Sequence, residues 1–353
     1  MSDVLAQDLA RIMLRSPALW EALRGRAIFL TGGTGLFGRW LLEALLHANR
    51  ELGLALRVTA LTRNAQAFTQ QAPHLAADAA LTLHTGDVRD FEFPRGHFDY
   101  LIHGATTSAS ETFHGEDPLK KFDTLVDGTR HVLDFATQCG IERFLFLSSG
   151  VAYGTQPADM PHMPESYKGA PDTCDVDTAL GQAKRAAEYL SSYYATKHGW
   201  HNTIARCFSF AGPFMPLDLH YAIGNFIAQA LNEDEIVVKG DGTPQRSYLY
   251  LGDLVTWLVT LLLQGRNGEI YNVGSDDAVS ILELAESVRD TLSPGKRIRV
   301  LGDTWHSVGN AARNRYVPDI SKARTELGLA PWTTLTETIR STAQHHLSSR
   351  SDT

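Results

Sequence analysis

The chain has 353 residues, 43% of them hydrophobic, enough apolar side chain for one large α/β unit or two modest domains rather than a disordered chain. Its 32 Lys and Arg against 40 Asp and Glu leave a net charge of −8 with no long basic run, so nucleic acid is not an expected partner. Cys139, Cys174 and Cys207 are odd in number, far apart and without metal-ligand spacing, which suits a reducing compartment and gives no reason to expect a metal.

Residues 1–25 read as an N-terminal helical extension, with Leu5, Leu9, Ile12 and Met13 at helical spacing over 2–15. Asp3, Asp8 and Arg11 interrupt its apolar residues, so it lacks the core of a signal peptide. The richest apolar run, Trp257 to Leu263, is far short of a bilayer span. The expectation is a cytoplasmic protein with no membrane partner. RAIFLT (Arg26–Thr31) is a short run of strand formers; GGTGLFG follows, and Trp40, Leu41, Leu45 and Leu46 then recur at helical spacing. Strand patterns return at 56–62, 81–87, 99–105 and 143–149, with a helix over 118–138 before the last of them. A long helix over 179–197 and a strand over 201–208 come next. This alternation predicts a parallel sheet covered by helices on both faces. Beyond Ala211 the pattern loosens into short elements bounded by Gly and Pro, a smaller region over the mouth of the sheet.

Gly32, Gly35 and Gly38 form GxxGxxG between a strand and a helix. Glycines at this spacing permit a tight turn and a close approach of backbone to a pyrophosphate, which then rests on the helix N-terminus. The turn Gly32, Gly35, Leu36, Phe37 and Gly38 is therefore the expected cofactor cradle. NAD selectivity usually needs an acidic residue at the end of the second strand, where this chain has Thr62, Arg63 and Asn64. The missing carboxylate and the Arg63 guanidinium favour NADP, with NAD open and a solvated surface role for Arg63 as the alternative. Asp87, with Val88 beside it, suits an adenine contact at the end of the third strand, and capping of a turn is its competing role.

TGGTGLFG, GDVRD, IHGAT, DGTRHVL, FLFLSSGVAYG, the Lys184 helix, ARCFSFAGP, GDGTPQRSYLYLGDL, IYNVGS and DISKARTELGL occur in order over about residues 26–345. Together they resemble the extended short-chain dehydrogenase/reductases, in particular their nucleotide-sugar epimerase and dehydratase branch. The resemblance implies a Rossmann-type doubly wound parallel sheet over 26–210 and a smaller C-terminal α+β substrate-binding region over 211–353, interleaved with the first. In that family a Ser or Thr and a Tyr bond the reacting hydroxyl, and a Lys orients the nicotinamide ribose and lowers the tyrosine pKa. The chemistry needs such a group because a hydroxyl must lose its proton as its carbon loses hydride, and an ordinary phenol is rarely ionised at neutral pH. By position the serine is Ser149, with Ser148 beside it, and the lysine is Lys184, which also joins the cofactor set.

Three positions depart from that pattern. Leu180 stands where the family has its tyrosine, Leu125 stands where an Asn is common, and Ser149 is followed by Gly150 and Val151 in place of acidic residues. An ordinary 4,6-dehydratase, or a glucuronate decarboxylase using that glutamate, is thereby disfavoured. Tyr153 enters the catalytic set as a replacement, though it matches a family tyrosine that is usually not the base. Tyr167, His162, Glu165 and Asp177 are further candidates in or near the same segment, with loop or capping roles as their alternative.

The substrate-binding set implied by the resemblance is Ser108, Ser149, Asn225, Arg246 and Arg313, with Arg315 as the alternative to Arg313. A guanidinium fork suits two adjacent phosphoryl groups better than an ammonium does, and Arg246 is flanked by Tyr248 and Asp253. The expected protein is an NAD(P)-dependent enzyme acting on a nucleotide-diphosphate sugar by hydride transfer, of epimerase, dehydratase or reductase type. A catalytically silent dinucleotide-binding sensor is the alternative. A reductase of some other substrate also stays open. Relatives commonly dimerise through the two helices at 118–138 and around Lys184, so a homodimer is expected, with Phe122, Leu133, Phe135, Tyr189 and Tyr193 compatible with its face and a buried core face as their alternative.

Overall fold

The computed structural model describes residues 3–107, 111, 115–219, 221–302 and 314–351. Ser108 and Arg313 lie outside the described residues. Strands β1 (Ala27–Thr31), β2 (Arg57–Thr62), β3 (Leu81–Thr85), β4 (Tyr100–His103), β5 (Arg143–Ser149) and β6 (His201–Cys207) join Glu269–Val273 in a seven-stranded sheet. Its order is Glu269–Val273, β6, β5, β4, β1, β2, β3, parallel throughout. The strand order reverses between β1 and β4, and in a doubly wound sheet the ligand crevice opens there, at the carboxyl ends of the strands.

The helices begin and end where local chemistry dictates. Asp117 accepts a hydrogen bond from the Leu119 amide at 2.9 Å, Pro118 fills the first turn, and Gly140 closes the helix Pro118–Cys139 at a φ of 65°. The helix Ala179–His198 likewise stops at Gly199, with a φ of 84°.

One face of the sheet is covered by Leu36–Leu52 and Leu251–Gln264, on which the N-terminal helix Asp3–Arg15 packs through Leu5, Leu9 and Ile12. Leu251–Gln264 is buried from Leu251 to Leu262, which explains its apolar run. Among the described residues no helix is long and apolar enough to cross a membrane. The other face is covered by Pro118–Cys139 and Ala179–His198. There Phe29 of β1 meets Phe135 at 4.7 Å between ring centroids, with Phe91 and Phe98 around them.

Leu133 and Phe135 belong to this core, which corrects their place on the expected dimer face: the rings that complete the sheet's packing are not available to a partner. Tyr189 and Tyr193, by contrast, are 68% and 50% exposed.

The chain beyond Ala211 is divided. The helix Leu251–Gln264 and the strand Glu269–Val273 return to the large sheet. Ile320, Ala323 and Leu329 also join the core of the large sheet, and a separate apolar core forms around Phe226, Ile227, Leu284 and Ile339. In this smaller region Gln245–Arg246 lies between Val279–Ser280 and Arg315–Tyr316, placing Arg246 directly beside Tyr316.

Candidate active site

The carboxyl ends of β1 and β4 are locked together. Thr31 Oγ1 and His103 Nδ1 are 2.7 Å apart, His103 Nε2 and Thr129 Oγ1 are 3.0 Å apart, and the Ala105 amide donates to Thr31 Oγ1. Burial pushes the His103 pKa down to about 3, so the ring is a neutral strut. The glycine turn follows β1. Gly32 has a φ of 73°, and a Cβ there would lie 2.7 Å from the Gly104 carbonyl carbon. A Cβ at Gly38 would fall 2.2 Å from the Gly32 oxygen, so helix and turn pack as closely as backbone allows.

Gly35 differs from both. A Cβ there would meet only the Gly32 oxygen, at 3.4 Å, on an exposed surface. The helix Leu36–Leu52 starts at Gly35 without a side-chain cap, and Leu36 and Phe37 are half-buried. An uncapped helix N-terminus with open space before it suits a pyrophosphate. At the end of β2, Arg63 forks onto Glu111 through two contacts of 3.3 Å, on the surface. Asp87 is gripped by Arg89, whose Nε lies 2.8 Å from Oδ1, and that hydrogen bond holds the Asp87 carboxyl below its ordinary range. Val88 is buried, its Cγ1 pressed close to Gly128.

Ser149 ends β5. Its Oγ accepts from the Val151 amide at 3.3 Å and lies 3.4 Å from the Tyr316 hydroxyl. Lys184 lies in the first turns of the helix Ala179–His198, with Nζ donating to the Leu147 carbonyl of β5 at 2.6 Å and facing the Phe146 ring at 4.9 Å. Burial pushes its pKa down to about 8 against the pull of Cys207 and Glu188. Leu180, one turn earlier, is half-buried and offers no polar atom. Four residues beyond Lys184, Glu188 takes Arg206 in two contacts, Nε to Oε1 at 2.9 Å and Nη2 to Oε2 at 2.6 Å.

Tyr153 is not where catalysis would need it. It is fully buried, its hydroxyl donates to Asn272 Oδ1 at 2.8 Å, and Arg206 lies 4.1 Å from its ring centroid. Burial pushes its pKa up to about 12. A phenol enclosed in this way is a packing post, which corrects its place in the catalytic set. Two of the other replacements are committed to backbone: Glu165 accepts from the Asn272 amide, and His162 Nε2 meets the Asp276 carbonyl. Asp177 is exposed just before the Lys184 helix, where its backbone amide donates to the Asp175 carboxylate. The Tyr167 ring packs against Gly169.

On the substrate side, Arg246 is half-buried and its Nη1 donates to the Gln245 carbonyl at 2.7 Å. Asn225 is half-buried on the helix Ala222–Asn232. Asp253 receives the amides of Trp332 and Thr333. Arg315 reaches the Pro161 carbonyl at 3.3 Å.

Sequence reasoning missed Tyr316 and the Glu188–Arg206 pair. Glu188 carried a signal, since its i+4 spacing from Lys184 puts both on one helix face. Tyr316 carried none, because its contact with Ser149 spans 167 positions.

A parallel sheet with a glycine turn at its switch point, and a smaller region folded over its carboxyl edge, defines a dinucleotide-binding protein of the Rossmann type. More narrowly, the chain belongs to the NAD dependent epimerase/dehydratase family, whose model matches residues 28–274. It is 36% identical to UDP-glucuronic acid decarboxylase 3 of Arabidopsis thaliana over 236 residues, 67% of this chain and 66% of the relative, just under two thirds of that relative's length. UDP-glucuronic acid decarboxylase 6 of the same plant is 32% identical, over 88% of this chain and 85% of its own. The solved UDP-glucuronic acid 4-epimerase from Bacillus cereus, in complex with UDP-glucuronic acid and NAD, shares the fold with a TM-score of 0.76. Its identity is 21%, over 91% of this chain and 99% of that one.

Proposed function

We propose that the protein binds a nicotinamide dinucleotide and a nucleotide-diphosphate sugar and works at a sugar carbon bearing a hydroxyl, as an epimerase or reductase without a phenol at position 180. The carrying observation is the facing arrangement of Ser149, at the carboxyl end of β5, and the small strand that holds Arg246 and Tyr316. When bound, the nicotinamide supplies hydride acceptance and donation. The first turn of Leu36–Leu52 holds the pyrophosphate, Lys184 keeps positive charge beneath the nicotinamide ribose, and Ser149 orients the sugar hydroxyl. Arg246 provides the cation for the diphosphate, with Asn225, Ser108 and Arg313 completing the substrate set. Arg63 sets the choice between NAD and NADP at the ribose 2′ position.

The decarboxylase activity named for the curated relatives is not carried over, because Gly150 and Val151 offer no acid beside Ser149. A silent sensor is the second reading, favoured by apolar Leu125 and Leu180 at two family positions. A homodimer through Tyr189 and Tyr193 completes the proposal. Mass spectrometry of small molecules released on denaturing freshly purified protein is the test. A dinucleotide with a nucleotide sugar supports the enzyme; a dinucleotide alone, with no UDP-sugar taken up on soaking, moves the reading to the sensor.

A further inference from the structure

We propose that the Tyr316 hydroxyl takes and returns the proton of the sugar hydroxyl held by Ser149, filling the role that Leu180 leaves without a titratable group. This rests on the nucleotide-sugar reading above.

Oxidation of a carbinol breaks two bonds. The carbon's hydrogen leaves with both electrons to the nicotinamide, the hydroxyl proton leaves to a base, and the carbon–oxygen double bond forms between them. The reverse step returns both. Ser149 can orient that hydroxyl but cannot hold the proton, because an ordinary serine is far too weak an acid and base. Lys184 has its ammonium committed to the Leu147 carbonyl. Among the described residues, the titratable side chain hydrogen-bonded to Ser149 Oγ is Tyr316, at 3.4 Å.

The surroundings of Tyr316 fit a placed phenol. Its ring packs on Phe208 with centroids 4.6 Å apart, and its hydroxyl lies 3.5 Å from the Cys207 carbonyl, at the end of β6. Half-buried, it is sheltered yet reachable. A Cβ at Gly150 would stand 2.7 Å from the Tyr316 oxygen and 2.8 Å from the Phe208 ring. A side chain at position 150 would therefore have to push the phenol or the Phe208 ring aside, so the residue that removes an acid from beside Ser149 also leaves room for Tyr316. The same phenol is paired in register with Arg246, so one small strand pair carries both a diphosphate cation and a proton carrier. A sugar nucleotide anchored at Arg246 would bring its ring toward Ser149.

The test compares wild type, Tyr316→Phe, and Tyr316→Phe with Leu180→Tyr. The probes are UDP-glucose, UDP-glucuronic acid and UDP-N-acetylglucosamine with NAD+ or NADP+. Binding is read by calorimetry and turnover by reduced-nicotinamide absorbance and sugar chromatography across pH. The expected result is UDP-sugar binding nearly unchanged in Tyr316→Phe and kcat lowered about 10²- to 10⁴-fold, the usual span of general acid–base catalysis. The pH dependence of kcat in Tyr316→Phe differs from that of wild type, and Leu180→Tyr restores part of the rate. Wild-type kcat and pH profile in Tyr316→Phe would overturn the proposal, as would wild type that binds a UDP-sugar and never turns it over. Wild type that binds none of the three sugars would instead overturn the nucleotide-sugar reading itself, and this proposal with it.

Discussion

Glu188 receives Ser148 and Arg206 on one buried carboxylate, with Ser148 Oγ 2.5 Å from Oε1 and the Arg206 guanidinium forked across both oxygens. The pair ties the Lys184 helix to the ends of β5 and β6, and Arg206 continues it onto the Tyr153 ring. Burial works against the Arg206 charge, yet the hydrogen bond and charge of Glu188 outweigh it and raise its pKa above the ordinary value. Glu188 thus fastens the Lys184 helix to two strands of the sheet.

Glu188→Ala leaves that guanidinium buried and unpaired, and the expected destabilisation is about 3–5 kcal/mol. Urea unfolding measures it. Glu188→Ala combined with Arg206→Met removes the orphaned charge and recovers much of the loss. Equal stability of the single and double variants would show that the pair is not what holds the helix to the sheet.

Two glycines of the turn separate folding from binding. At Gly38 an added methyl meets the Gly32 oxygen at 2.2 Å, so Gly38→Ala costs at least about 1–3 kcal/mol of stability, as overpacking does. At Gly35 the methyl is tolerated, and Gly35→Ala changes apoprotein stability by no more than about 1 kcal/mol. It projects where the pyrophosphate is proposed to rest, so dinucleotide affinity falls sharply. Unchanged affinity in Gly35→Ala, read by calorimetry, would move the cofactor off this turn.

The legible part of the molecule was its local part. Strand runs such as AIFLT and the glycine turn carry their structure in neighbouring residues, so the sheet and its crevice could be read in chain order. Long-range packing was hidden. The dimerising helices of relatives put Leu133 and Phe135 on an expected outer face, and a buried inner face reads identically until Phe29 and Phe91 are placed against it. Tyr153 followed Ser149 closely enough to look catalytic, but only the fold shows Asn272 waiting for its hydroxyl. The division at Ala211 was blurred for the same reason: Glu269–Val273 rejoins the sheet through β6, a pairing with no local signature.

Cofactor choice is expected to turn on Arg63. A 2′-phosphate would compete with Glu111 for the guanidinium, and a charge-assisted hydrogen bond is worth about 1.5–3 kcal/mol. Arg63→Ala therefore lowers NADP affinity about 10- to 100-fold on the same scale and leaves NAD affinity near wild type. Glu111→Gln shifts the balance the other way. If fluorescence titration finds NADP binding indifferent to Arg63→Ala, the side chain is a surface residue and the preference lies elsewhere.

Asp8 links stability to pH. Burial pushes its carboxyl from near 3.8 up to about 6, against the hydrogen bond donated by Tyr250. The folded protein therefore holds this proton more tightly than the unfolded chain does, and stability falls as pH climbs from about 4 to 6, then levels off. Asp8→Asn keeps an acceptor for Tyr250 and removes the charge. It is expected to flatten that limb and to raise stability at neutral pH by at most about 3 kcal/mol. Urea unfolding across the window decides it, and an unchanged slope would mean that Asp8 does not titrate there.

The remaining prediction concerns the face formed by the two long helices. Tyr189 and Tyr193 stack at 6.3 Å between centroids while standing largely in solvent, and Arg130, Asp134, Lys197 and His198 line the same groove. Aromatic rings with a charged rim are the composition of an interface core, and a two-fold axis between the helices would bury the rings of both copies against each other. Tyr189→Glu with Tyr193→Glu would set like charges across that axis. Neither ring belongs to the sheet's core, so the folded protomer should survive the change. The expected outcome in sedimentation velocity is a dimer for wild type and a monomer of nearly unchanged melting temperature for the double variant. A wild-type monomer, or a dimer indifferent to both glutamates, would remove this face from the assembly.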